Sequence, residues 1–306
     1  MFINKLNNLI IWKAIVPKVI RTLIWKFLLR KKILQSFKNN KDKGIKKITD
    51  FLDKNPLEIF PYNFIFNYKE NDIEVYFDDD KNLKYTYLFS KKLYFPKRWS
   101  KSRIRKSLNQ LLIEQDLQSP HRYLTDTFNI NENSIVVDIG CAEANFSLEI
   151  IEKVKHIYLF EANDKWIIPL KTTFEKYKEK VTIVNKKLSN YDSENTVNAD
   201  RFFKEKKINF LKIDVDGNEK EVMSGLSNII ENSKQMQVAL CTYHSQNDYN
   251  KYSDYFKKNN YYVEHSNGYT VFYWDKNLSY PFLRRGLIRS THKLEVDELE
   301  ENISMV

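Results

Sequence analysis

The feature that most constrains this chain is a strand, turn and helix signal between Ser134 and Val154. Ser134 to Ile139 is an apolar run carrying an acid, Asp138, near its end, as expected of a parallel strand covered on both faces. Asp138-Ile139-Gly140-Cys141-Ala142-Glu143-Ala144-Asn145-Phe146-Ser147 is a tight small-residue turn that opens into a helix over Ser147 to Val154. Such a turn brings backbone close to a nucleotide-like ligand at the carboxyl edge of a sheet. The next strand, His156 to Phe160, ends in Glu161, about twenty residues beyond the turn and correctly placed to bind a ribose diol.

Two kinds of nucleoside ligand use this arrangement. A dinucleotide asks for Gly-x-Gly-x-x-Gly, and here Gly140 is followed by no second glycine. An acid two residues before the glycine repels a pyrophosphate and suits a cationic ligand, as S-adenosylmethionine is with its ammonium and sulfonium. The candidate cofactor site is therefore Asp138, Gly140, Ala142, Asn145 and Phe146 from the first unit, with Glu161 and Ala162 from the second. The structural alternative makes Asp138 a cap of the turn and Glu161 a solvated strand end.

Further strands fit Val181 to Asn185, Asn209 to Val215 and Gln237 to Thr242, with helices near Trp166 to Tyr177 and Asn218 to Leu226. This alternation predicts an α/β fold, a Rossmann-like doubly wound parallel sheet. Tyr261 to Glu264 and Tyr269 to Trp274 flank Ser266-Asn267-Gly268, which reads as an antiparallel terminal hairpin closing that sheet. A parallel sheet finished in this way is the class I methyltransferase variant of the architecture.

The stretch Asn198-Ala199-Asp200-Arg201-Phe202-Phe203, then Leu211-Lys212-Ile213-Asp214-Val215-Asp216-Gly217-Asn218-Glu219 and Val222 to Leu226, resembles the signature of the FkbM methyltransferases. In that family the fourth strand ends in Ile-Asp-Val-Glu-Gly followed by Ala-Glu, so Asp216 and Asn218 are substitutions. The similarity runs on through Tyr243-His244 to Leu283-Arg284-Arg285-Gly286-Leu287, over roughly residues 120 to 290. It implies an S-adenosylmethionine-dependent enzyme that methylates a hydroxyl, often on a sugar or secondary metabolite. Where the family has a glycine closing the first turn this chain has Ala144, so either that turn is right-handed here or cofactor affinity is reduced.

Methyl transfer to oxygen is an in-line displacement that needs alignment and removal of the hydroxyl proton. His244, ending the fifth strand on the same sheet edge as Asp138 and Asp214, is the candidate general base; the alternative is a structural histidine beside Tyr243. Asp214 is the second candidate catalytic residue. It orients the donor, hydrogen-bonds the acceptor, or joins Asp216 and Glu219 around a divalent cation, a metal role ranked last and not adopted. The other readings are a Rossmann-like nucleotide-binding protein of different chemistry and a non-catalytic one.

Outside the domain expected over residues 120–290, the chain divides into a basic segment, 1–49, a small α+β region, 50–119, and a tail, 291–306. From Met1 to Thr49, 13 Lys and Arg stand against Asp42 alone, and the rest of the chain is net slightly acidic. The catalytic region is therefore nearly neutral, which argues against nucleic acid; the family resemblance implies a small-molecule or glycan acceptor. After Pro17, Lys18, Arg21, Thr22 and Lys26 share one helical stripe and Val19, Ile20, Leu23, Ile24 and Phe27 another, with Leu29 falling on the polar side. Residues 9–32 then either meet an anionic membrane surface or pack on protein, and their charges exclude a spanning helix. Asp78-Asp79-Asp80 reads as a solvated turn, and His121 and Arg122 as linker residues or functional ones. Two cysteines, Cys141 and Cys241, are too few for a disulfide framework and suit the cytoplasm.

Overall fold

The computed structural model describes residues 17–275 and 277–293. Residues 1–16 of the basic segment, including 9–16 of the expected membrane-facing stretch, and most of the expected tail lie outside these. The N-terminal pair of helices is α1 (Lys18–Ser36) and α2 (Lys43–Lys54), the second capped by Asp42, which accepts from the Ile45 N–H. Pro17 sits just before the first turn of α1, where its missing N–H removes no helical bond.

A three-stranded antiparallel meander follows, β1 (Tyr76–Asp78), β2 (Leu83–Leu88) and β3 (Lys91–Phe95), then α3 (Lys101–Glu114), capped by Ser100. Asp78 ends β1 and pairs with Lys92 and Tyr94, and Asp79 and Asp80 begin the turn into β2. Leu93, Phe95, Trp99, Ile104 and Leu108 from this region pack into the same apolar cluster as Val136, Ile157 and Phe210, so the meander covers one face of the main sheet.

That sheet is built from β4 (Ile135–Ile139), β5 (His156–Phe160), β6 (Val181–Val184), β9 (Phe210–Ile213), β10 (Gln237–Cys241), β11 (Tyr261–His265) and β12 (Leu287–His292). A small parallel pair, β7 (Lys187–Ser189) and β8 (Thr196–Asn198), stands beside it. The helices are α4 (Asn145–Ile150), α5 (Ile167–Thr173), α6 (Ala199–Phe203), α7 (Glu219–Asn232) and α8 (Asp248–Lys258). The seven strands run in the order β11-β12-β10-β9-β4-β5-β6, with β12 antiparallel to both neighbours. Val137, Ile139, Leu211, Ile213, Val238 and Leu240 point to the second face, under α7 and α8. Alternate side chains of each central strand thus enter two separate cores, which is why these strands read as continuous apolar runs.

The terminal hairpin is present, but its second strand is not where the turn signal put it. β11 pairs with Leu287–His292, and Tyr269–Trp274 is not a strand. Residues 266–286 leave the sheet: Thr270 bridges Arg284, the Val271 N–H donates to the Ile59 carbonyl at 2.8 Å, and Val271, Phe282 and Leu283 are buried against α1 and α2. Ser-Asn-Gly announces a turn, and alternation announces a half-buried segment, but neither specifies the partner that covers it.

Candidate active site

The first turn folds back over the carboxyl ends of β4 and β5. The Gly140 and Cys141 N–H groups both donate to the Phe160 carbonyl, at 2.9 and 3.2 Å. Gly140 has φ +73°, and a Cβ there would lie 2.0 Å from the Asp214 carbonyl oxygen, so only glycine lets the turn press against the end of β9. Ala142 and Ala144 are also left-handed, with φ 45° and 60°. The right-handed alternative for Ala144 is thereby excluded; the chain holds the glycine-type geometry with alanine, at a cost of about 1–2 kcal/mol for such a residue. Glu161 locks the turn: one carboxylate oxygen accepts the Ala142 N–H at 2.9 Å, the other the Asn163 N–H at 2.6 Å.

Between this turn and the β9 end lies an open cleft of about 270 Å³, lined by Gly140, Ala142, Glu161 and Ala162 on one side and by Lys186 to Leu188, Asp214 to Asp216 and Glu221 on the other. Four of the seven expected cofactor residues line it, and three do not. Asp138 is fully buried, paired with Lys212 at 2.9 Å and accepting the Ser147 hydroxyl at 2.7 Å. Its carboxylate thus faces Lys212 and Ser147 inside the sheet and does not line the cleft. Phe146 is buried between Tyr123 and Phe210, and Asn145 opens α4.

On the other side Asp214 is the hub. Its oxygens accept from the Tyr123 and Tyr243 hydroxyls, each at 3.1 Å, and face His121 and His244, each 3.8 Å away. Burial works to raise its pKa, but Lys212, His121, His244 and Tyr123 outweigh that and hold it below the usual carboxylate range. The same burial pushes the pKa of His121 down to about 4 and those of Tyr123 and Tyr243 well up, so three neutral groups surround the carboxylate.

His244 is different. Burial favours its neutral form, yet Asp216, Glu219 and Asp214 together push its pKa up to about 10. Its Nδ1 lies 2.9 Å from Glu219 and its Nε2 3.8 Å from both Asp214 and Asp216, although neither nitrogen is aligned as a hydrogen bond. The neighbouring carboxylates favour the imidazolium, which has no lone pair to take a proton, whereas the base role expected of His244 needs the neutral ring. Asp214, Glu219 and His244 offer ligand atoms within 4.8 Å of one another, a spacing that a divalent cation could bridge.

Comparison with known proteins decides the family. A profile described as "Methyltransferase FkbM domain" matches residues 98–271, more than half of the chain. The chain belongs to the FkbM methyltransferase family. Among solved structures it is similar to the FkbM methyltransferase of Methylobacillus flagellatus KT, at 12% identity and a TM-score of 0.44 over 89% of this chain. It spans 60% of that longer protein. It is also similar to SMU.1697c, a putative methyltransferase from Streptococcus mutans in complex with SAH, at 11% identity and TM-score 0.37, over 61% of this chain and 96% of that one. A third is TrmK of M. capricolum with S-adenosyl-homocysteine, at 16% identity and TM-score 0.34, over 55% and 67%. No curated protein matches the sequence.

The FkbM signature occupies the seam of the site. Lys212 to Asn218 spans the end of β9 and the turn into α7, with Asp216 and Gly217 at φ 51° and 91°. Glu219, the first residue of α7, accepts from the Val215 and Gly217 N–H groups at 3.4 and 3.3 Å and is buried beside His244. Sequence reading missed Lys212, Tyr123 and Glu114. Lys212 had a usable signal, a lysine inside an otherwise apolar strand. Glu114, at the end of α3, had none: burial first, then the charge of Asp214, pushes its pKa up to about 8. His121, left open as linker or functional, packs between Tyr123 and Tyr243 against Asp214, while Arg122 ties the linker to Glu149 and the Gln115 carbonyl.

Proposed function

We propose that this chain transfers the methyl group of S-adenosylmethionine to a hydroxyl oxygen of a small-molecule or glycan acceptor. One observation carries the reading: Glu161 and Asp214, carboxylates from two different strand ends, line a single cleft at the carboxyl edge of the sheet. When bound, the cofactor supplies an electrophilic methyl on a sulfonium. Glu161 would hold the ribose diol with the lone pairs its two backbone bonds leave free, and the Gly140–Ala142 backbone would face the methionine portion.

Asp214 is the proton acceptor in this reading. A hydroxyl becomes strongly acidic as its oxygen takes the methyl group, so a carboxylate of lowered pKa is basic enough late in the transfer. Tyr123 and Tyr243 fix the orientation of Asp214, and protonated His244 balances the charge around it. The concentration of hydroxyl, imidazole and carboxyl groups here favours a polyhydroxylated acceptor such as a sugar. Two buried free thiols suit a reducing, cytoplasmic setting.

Calorimetry with S-adenosylmethionine, S-adenosylhomocysteine and NAD tests the cofactor: heat with the first two and none with the third is expected. Incubating cell extract with methyl-labelled donor and separating glycans, lipids and polypeptide tests the acceptor. Label in the glycan or small-molecule fraction is the expected result, and label confined to polypeptide overturns it.

A further inference from the structure

Helix α1 is mounted the wrong way round for a helix whose only task is to pack on its own protein. A surface helix normally turns its apolar stripe inward and leaves its charges in water. Here the stripe that contains the cations faces the protein. Leu29 and Ile33 on that side are buried, the Trp25 indole N–H donates to the Tyr273 carbonyl at 3.1 Å, and the Lys26 ammonium lies 3.6 Å from Glu58 and over the Tyr273 ring. Arg30 reaches the carbonyls of Leu52, Asp53 and Asn55 around the end of α2. The opposite stripe, Val19, Ile20, Leu23, Ile24 and Phe27, is left 38% to 71% exposed. The helix is therefore fixed on the body of the molecule by its mixed face and presents a continuous apolar face outward.

We propose that this face seats on the surface of an anionic lipid bilayer, with α1 lying in the interface plane. The charges around the stripe select that occupant. Lys31 is exposed on the same side and folds over the Phe27 ring, Lys18 is exposed at the start of the helix, and residues 1–49 together carry 13 basic side chains against one acid. Apolar side chains edged by lysine are the pattern that inserts at the boundary of headgroups and acyl chains. A second copy is a poor occupant, because face-to-face packing would bring two identical sets of lysines together. No helix among the described residues is long and apolar enough to cross a membrane, so contact through α1 is peripheral. The loop against which α1 packs also exposes Trp274 and Tyr280, residue types that favour the bilayer interface.

The test is co-sedimentation of the full chain with vesicles of phosphatidylcholine alone or with one third phosphatidylglycerol. Binding to the anionic vesicles only is expected. Leu23→Glu with Phe27→Glu should weaken it at least tenfold while leaving the circular dichroism spectrum and thermal midpoint unchanged, since both side chains are exposed. Lys31→Glu with Lys32→Glu should weaken it by about fivefold for each lysine removed. No binding to anionic vesicles overturns the proposal, as does binding that survives the Leu23 and Phe27 substitutions. A wild-type dimer in sedimentation velocity that those same substitutions dissociate also overturns it, by assigning the face to a second copy.

Discussion

The two sides of the cleft are made by different means. The Gly140–Glu161 side is a backbone construction: one turn, two left-handed alanines and a carboxylate bonded to loop amides, all within about twenty residues of each other. The Asp214 side is a side-chain construction: Asp214 is backed by His121 and Tyr123 from the linker before β4 and by Tyr243 and His244 from the loop after β10. Backbone geometry suits a ligand that is always the same. Side chains drawn from distant positions can be exchanged one at a time, which suits the part of the site that meets the acceptor.

This contrast breaks if substitutions on one side act on the other. The largest effect is expected from Asp214→Asn, which should slow transfer about a thousandfold in single-turnover assays while calorimetric cofactor affinity stays within about threefold. Loss of both together would erase the division. Gly140→Ala sits on the seam, where its Cβ would meet the Asp214 carbonyl, and should destabilise the fold by about 3 kcal/mol, read as a lowered denaturation midpoint in urea. Glu161→Gln should weaken S-adenosylhomocysteine binding by about tenfold with little change in the rate at saturating cofactor.

The smallest effect concerns His244. Its pKa is raised from 6.5 to about 10, so the stability it contributes is complete below about pH 6.5 and is lost as pH rises through about 10. The thermal midpoint of the native protein should therefore fall over that interval more than that of His244→Gln. Parallel curves would mean that His244 is not held protonated by its carboxylate neighbours, and would return it to candidacy as a base.

Most of the fold was legible because its signals are local. The buried strand, the small-residue turn and Glu161 lie within one stretch of chain, and burial on both faces leaves a direct mark on β4, β9 and β10. The site was legible only where it is backbone-built. The pairing of Asp138 with Lys212 was not legible because the two are 74 residues apart and stand opposite each other only through the parallel register of β4 and β9. In the same way, the Tyr123 bond to Asp214 joins positions 91 apart. The position of the final strand was missed for a related reason: its neighbours in space are set by the whole sheet, not by the turn that precedes it.

That final strand bears on the order in which the molecule can assemble. β12 is inserted between β10 and β11, so neither finds its partner along that edge until Leu287–His292 has left the ribosome. Before then the nascent sheet carries two open edges, each a template for pairing with another chain. A polypeptide ending at residue 271, the limit of the family match, would keep the cofactor turn and yet never close the sheet that supports it.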